Sequence, residues 1–270
     1  MDLSIIIVNY HSQNQLTLCL RSLFRSPLSL DFETIVVDNN SGDDLKDLIN
    51  NYPGVKFIFN EKNLGMGGGN NLGIDQARGK YILILKPDTI INALAIEILV
   101  DYLSKNPLVG LVGPKLLNSD NSLQMSCARF PSFFLPLWQR TFLGKLFPKQ
   151  SQRFLMNDFN HQNIQEVDWL MGSCLLFKKE IKLSSGEIFR PRFDQRYFMY
   201  FEDIDLAKQI KQKGLKVVYN PKASIIHDHQ RQSARYPWYL AVLVDPLARQ
   251  HIISWLKYFQ KWGIKYLFNK

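Results

Sequence analysis

SIIIVNY, residues Ser4 to Tyr10, is a short β-branched run with no polar residue between Ile5 and Val8. Strict alternation would mark a strand with one wet face; an unbroken apolar run marks one buried on both faces. TIVVD (Thr34 to Asp38), VKFIF (Val55 to Phe59), YILIL (Tyr81 to Leu85) and LVGLVG repeat the pattern. Between them lie helix-spaced segments: Leu16, Cys19, Leu20 and Leu23, then Asp44 to Tyr52, Gly68 to Arg78, and Ile96, Leu99, Val100 and Leu103. Strands alternating with helices predict an α/β fold with a mixed, mainly parallel central sheet flanked by helices. In such sheets ligands bind beyond the C-terminal ends of the strands. Asn9, Asp38, Asn60 and Asp88 all fall at or just past strand ends and are expected along one rim. Singly, each is equally well a cap or a turn residue.

The chain has 270 residues, 46% of them hydrophobic, and a formal net charge of +9. That is a globular composition with a preference for anionic partners, among which nucleic acid, a nucleotide substrate and acidic lipid all qualify. Cys19, Cys127 and Cys174 are odd in number and widely spaced, which excludes a disulfide framework or a zinc site and fits a reducing compartment. The chain opens Met-Asp-Leu and runs straight into a strand, so no signal peptide is expected, and no apolar run is long enough to span a bilayer. The expected location is cytoplasmic.

From about Leu117 to Gln165 the alternation fails. RFPSFFLPLWQRTFLGKLFPK is aromatic, Pro-broken and basic, and reads as an excursion over the site or onto a surface. EVDWLMGSCLLFKKE resumes a strand pattern, and KVVYNP and ASIIHDH read as two short strands. The tail carries Lys257, Lys261 and Lys265 beside Ile253, Leu256, Ile264 and Leu267, as an amphipathic helix would. The simplest partition is a domain over 1–235 and a helical C-terminal extension over 236–270. The first divides into 1–115, the excursion 116–165 and 166–235.

Four constellations carry chemistry. NEKNLGMGGGNNLGI, Asn60 to Ile74, lacks the Gly-Lys-Ser/Thr ending of a P-loop and the third glycine of a dinucleotide fingerprint. It reads either as a flexible turn or as a loop whose backbone approaches a nucleotide closely. Lys86-Pro87-Asp88 places a carboxylate where it would hold a divalent cation, or merely a turn. In YFMYFEDIDLAKQIKQKG, Tyr197 to Gly214, a helix starting near Glu202 puts Asp203, Leu206, Ala207 and Ile210 on one face. Asp205, Lys208, Gln209 and Gln212 fall on the other side, where Asp205 is expected to be solvated. Glu202 is expected to cap the helix or orient its neighbour. Asp203, turned inward behind the aromatic run, is either a general base of raised pKa or a buried Asp satisfied by helix N–H groups. IIHDHQRQSAR gathers His227, His229, Arg231 and Arg235, a set suited to a diphosphate or, through one His, to a metal.

In order and spacing, SIIIVNYHS, VVDNNSGD, NLGMGGGNNLGI, LILKPDT, VDWLMGSCLLFKKE, YFMYFEDIDLAKQIKQKG and IIHDHQRQS resemble a family 2 glycosyltransferase of the GT-A fold, in its rhamnosyltransferase-like branch. The resemblance implies inverting transfer of a sugar from a nucleoside-diphosphate sugar, dTDP- or UDP-linked, to a saccharide or lipid-linked saccharide acceptor in cell-surface polysaccharide synthesis. It implies donor contacts from Asn9, Tyr10, Asp38, Asn40, Asn63, Gly65, Lys86, Asp88, His227, His229 and Arg231. Acceptor contacts would come from Trp169, Met171, Gly172 and Tyr200. Asp203 would be the catalytic base, with Glu202 beside it. Asp88 and His227 would hold Mg2+ or Mn2+.

One departure stands out. The family has Asn or Asp where this chain has Lys86, which either points away or supplies positive charge near the diphosphate and weakens metal dependence. The basic excursion and acid-free tail suit an anionic membrane surface at the inner face of the plasma membrane, or packing on the domain or on a second subunit of a homodimer. Two rival functions are a sugar-phosphate nucleotidyltransferase and a silent nucleotide-sugar-binding protein. The first lacks its Gly-rich basic signature after the first strand. Nucleic acid is disfavoured by carboxylates lining the expected cleft.

Overall fold

The computed structural model describes residues 1–134, 154, 156, 159–228 and 245–263. Strands β1 (Leu3–Asn9), β2 (Phe32–Asp38), β3 (Val55–Phe59) and β4 (Tyr81–Leu85) alternate with helices α1 (Gln13–Leu23), α2 (Lys46–Asn51) and α3 (Gly65–Gln76). Strand β5 (Thr89–Ile90) and helix α4 (Ala93–Lys105) lead into β6 (Val109–Leu117), followed by the short strands β7 (Leu123–Gln124) and β8 (Cys127–Ala128). After the excursion come β9 (Gln165–Val167), β10 (Trp169–Leu170), β11 (Cys174–Lys178), β12 (Ile181–Lys182) and β13 (Ile188–Phe189). Helix α5 (Glu202–Gln212), strand β14 (Lys216–His227) and helix α6 (Pro246–Trp262) complete the order.

The central sheet runs β3-β2-β1-β4-β11-β6-β14-β5, with β7 paired to β6 and β9 to β14 off this path. Strands β3, β2, β1 and β4 pair in parallel. Strand β11 then inserts antiparallel between β4 and β6, and β14 returns parallel to β6. Because β1 pairs with β2 on one side and β4 on the other, the sheet has its topological switch at the C-terminal end of β1, the place where sheets of this kind bind ligands. Successive residues of β1 serve opposite cores. Ile5 and Ile7 face the cluster under α1 and α4, while Ile6 and the side of Val8 face the one under α3 and α5.

Two expectations need correcting. KVVYNP and ASIIHDH form one strand, β14, with an irregularity between Asn220 and Ser224. The helix expected from Gly68 begins earlier, at Gly65, so that Gly67 joins Gly68 and Gly69 inside α3, all three buried. Their role is contact. A Cβ on Gly69 would sit 2.9 Å from Val8 Cγ1, and one on Gly73 would collide with Ile6, so the glycines let α3 lie close on the sheet. Gly65 is the conformational exception, with φ +73 and the Phe198 carbonyl where its Cβ would be.

Candidate active site

At the end of β1 and β2, Asn9 and Asp38 are register partners. Asn9 Nδ2 donates to Asp38 Oδ1 at 2.8 Å and to Asp43 Oδ2 at 2.9 Å, and Asp38 Oδ2 accepts from the Ser41 N–H at 3.1 Å. Asp38 is buried and largely occupied by protein partners. Asn40 takes φ +59 and is exposed, as is Tyr10, which packs on His11 with ring centroids 4.2 Å apart. The residue that organises this corner is Asn39, between them. Its Oδ1 accepts from Asn60 Nδ2 at 2.9 Å and the Leu64 N–H at 3.0 Å, and its Nδ2 donates to Asn63 Oδ1 at 2.8 Å and the Gly65 carbonyl at 3.1 Å. Asn63 Oδ1 also accepts from the Gly65 N–H at 2.8 Å. The sequence reading passed over Asn39; the signal was there in the Asn-Asn pair, since one Asn takes the left-handed turn and leaves the other to point inward.

A second group forms past β4. The Lys86 N–H donates to the Ser173 carbonyl at 2.9 Å, tying the Lys-Pro-Asp turn to the start of β11. His227, fully buried at the end of β14, stands 3.3 Å from Asp88 Oδ1 through Nε2 and 3.1 Å from Ser173 Oγ. Gln124 fixes the imidazole: its Nε2 donates to Asn118 Oδ1 at 2.9 Å, so its oxygen faces His227 Nδ1 at 2.7 Å and accepts from it. In the neutral ring this leaves Nε2 an acceptor, facing a buried Asp88 oxygen that has no hydrogen-bond partner. Two acceptors set face to face suit a shared cation. Burial works to raise the Asp88 pKa, but when the ring is instead protonated its contact and charge, then the charge of Lys86, outweigh it and hold the carboxyl below its usual range.

The third group is at the start of α5. Asp203 is half-buried, with Oδ2 accepting from the Gly172 N–H at 2.9 Å and Oδ1 from the Ile204 N–H at 2.8 Å. Burial nevertheless raises its pKa. Glu202 is buried, its Oε2 without a hydrogen-bond partner, and burial followed by the Asp203 charge pushes its pKa up. The Lys86 ammonium lowers the pKa of Glu202, Asp203 and Asp88 alike, so its charge acts within the cleft and links the second group to the third. Trp169, whose Nε1 donates to the Arg129 carbonyl at 2.9 Å, and Met171, whose N–H donates to the Ser126 carbonyl at 2.8 Å, carry Gly172 to Asp203.

Three expectations fail here. Asp205 is fully buried instead of solvated, because α6 covers that side of α5. Lys208 is buried too, its Nζ 4.3 Å from the Phe130 ring centroid. Of the two roles expected of Glu202, capping the helix or orienting its neighbour, the cap falls: Phe201 is the N-cap, in a left-handed conformation with no side-chain cap bond. The aromatic run also faces elsewhere, since Tyr197 and Phe201 pack with Tyr258 and Phe259 of α6, and Tyr200 lies against His251 with centroids 5.0 Å apart. His229, Arg231, Arg235, Lys265 and much of the basic excursion lie outside the described residues.

Residues 4–163, more than half of the chain, match the model of glycosyl transferase family 2. The chain belongs to that family and is a glycosyltransferase. Among relatives of this family 2 member, N-acetylglucosaminyl-diphospho-decaprenol L-rhamnosyltransferase of Mycobacterium tuberculosis is 28% identical over 231 residues, covering 79% of this chain and 73% of its own. Rhamnosyltransferase WbbL of Escherichia coli is 27% identical over 267 residues, covering 93% and 94%. Of the solved structures, S. aureus TarS 1-349 superposes with a TM-score of 0.56 at 15% identity over 96% of this chain and 72% of that one. GalNAc-T7 with UDP, GalNAc and Mn2+ gives 0.61 at 18% identity over 86% and 44%. At such identities these likenesses establish the fold, GT-A, as the family resemblance implied.

Proposed function

We propose that this family 2 enzyme transfers a sugar, rhamnose by the names of its relatives, from a nucleoside-diphosphate donor to a saccharide or lipid-linked saccharide, with inversion. The observation that carries the reading is Asp203: a half-buried carboxylate with a raised pKa, aimed by two backbone N–H groups. Such a group is poised to accept a proton. Asp203 takes the proton of an acceptor hydroxyl as that oxygen attacks the anomeric carbon from the face opposite the nucleotide. The bond from the anomeric carbon to the diphosphate oxygen breaks, and the nucleoside diphosphate leaves with both electrons. Asp203 then returns its proton to water.

Asn63, Gly65 and the corner built on Asn9 and Asp38 receive the nucleoside, with Tyr10 and Asn40 at its exposed rim. Lys86 sets a positive charge by the diphosphate, and Trp169, Met171 and Gly172 line the acceptor side, while Tyr200 is taken up by its packing on His251. His229 and Arg231 are assigned to the diphosphate by the sequence alone. The orphaned Asp88 oxygen and the acceptor face of His227 fit a divalent cation, Mg2+ or Mn2+. When bound it supplies charge neutralisation to the leaving diphosphate. The nucleotide-sugar-binding half is residues 1–115 and the acceptor and catalytic half 166–235, whose end, His227 to Arg231, is assigned to the diphosphate.

A thermal-shift series with UDP and dTDP, each with and without Mn2+, tests donor class and metal together, because a ligand of the native state raises its melting temperature. We expect a shift from at least one nucleotide that grows with Mn2+ in the native chain and loses that growth in Asp88→Asn. No shift from either nucleotide would remove the donor-binding reading.

A further inference from the structure

Resting on Asp203 as the base, we infer that helix α6 is a positioning element of the active site and that Asp205 is the positioning residue through which it acts. Asp205 lies two residues beyond Asp203 and is fully buried, yet it is not stranded. Its Oδ1 accepts from Trp262 Nε1 at 2.8 Å and from the Tyr197 hydroxyl at 3.2 Å, and Gln209 Nε2 donates to Oδ2 at 2.7 Å. Lys261 Nζ lies 2.8 Å away and also reaches Asp194 at 2.7 Å. A buried carboxylate held by an ammonium and three further donors is a rigid joint, and removing the cation alone leaves an uncompensated charge.

Helix α6 grips the backbone leading into α5 as well. Ser254 Oγ donates to the Met199 carbonyl at 2.7 Å and Lys257 Nζ to the Arg196 carbonyl at 2.8 Å. From the opposite side, the Met66 N–H of α3 donates to the Phe198 carbonyl at 2.9 Å. Between these holds, Tyr200 and Phe201 take φ +66 and +68, two consecutive left-handed bulky residues. Such a conformation is unfavourable unless the surroundings impose it. Its consequence is to turn the chain sharply into α5, so that the helix begins with Glu202 beside Gly67 and Asp203 facing Gly172. The clamp therefore joins the donor-side helix α3 to α6 across the segment that aims the base.

The test is Lys261→Met, with Lys261→Arg as the charge-keeping counterpart and Asp203→Asn in parallel. Two readouts are compared: release of dTDP from dTDP-rhamnose, and backbone amide exchange over residues 197–206. In Lys261→Met, exchange over 197–206 is expected to accelerate at least tenfold while α3 keeps its protection. The kcat should fall at least tenfold with dTDP affinity unchanged within twofold, and Lys261→Arg should recover most of both. A folded Lys261→Met with native exchange and kcat within twofold of native would overturn the inference. Should Lys261→Met fail to fold, Trp262→Phe, which removes one hydrogen bond, carries the same comparison with an expected severalfold change in exchange. If Asp203→Asn keeps its turnover, the base assignment falls, and the exchange data still decide whether α6 holds the segment.

Discussion

Glu202 and Asp203 are adjacent carboxylates, the first buried and the second half-buried, and ionising both is costly when one neighbour's charge raises the other's pKa. The sign of the consequence is fixed. A carboxylate with a raised pKa is protonated as the pH falls through that value, so the base form is lost at a higher pH than for an ordinary Asp. The acidic limb of kcat is therefore expected clearly above the usual Asp pKa of about 3.9. Asp88, held below its normal range, stays ionised throughout and contributes no limb of its own there. A pH–rate profile checks this, and a limb near 4 would contradict it. At this scale the sequence revealed Asp203, because helical phase alone turned it inward. It concealed Asp205, because phase says which side of a helix a residue occupies and not what covers that side. The groups that bury Asp205 lie 56 and 57 positions downstream.

Helix α3 shows what glycine contributes to an element. Gly42 and Gly65 share a left-handed φ, +75 and +73, but only Gly65 has an obstacle, the Phe198 carbonyl, where a side chain would go. Gly42→Ala is expected to cost about 1–2 kcal/mol from backbone conformation alone. Gly65→Ala should cost about 2–4 kcal/mol, adding the overpacking of a site that cannot yield without moving the segment ahead of α5. Urea unfolding of both variants measures the difference, and equal losses would show that the contact with Phe198 carries no weight. Most elements were legible: β3 and β4 ran over the very residues expected, because unbroken β-branched runs bounded by turn residues leave little choice. The antiparallel insertion of β11 was not, since a short run buried on both faces reads the same in either direction. The helix expected over Gly68 to Arg78 is there, but its start at Gly65 was not legible, because the low intrinsic propensity of three consecutive glycines is overridden by close packing on β1.

Across the whole molecule, the fold delivers three separate polar groups to one end of the sheet and then closes them with a helix from the far end of the chain. That helix, α6, buries Ser254, Tyr258 and Phe259 but leaves Ile253 and Leu256 44% and 51% exposed, where polar residues would ordinarily stand. Among the described residues no helix is long and apolar enough to cross a membrane. With a net charge of +9, we propose that this ridge rests on anionic lipid at the cytoplasmic face, bringing a lipid-linked acceptor to the cleft. Native protein should co-sediment with phosphatidylglycerol vesicles more than the Ile253→Asp, Leu256→Asp double variant does; equal sedimentation would count against the proposal. The central claim, that Asp203 is the base of a glycosyl transfer, has a more direct test: Asp203→Asn assayed for sugar transfer and, separately, for nucleotide binding. The account predicts that kcat falls by about 10²–10⁴-fold while nucleotide affinity stays within a fewfold of native, and an Asp203→Asn enzyme that turns over at the native rate would contradict it.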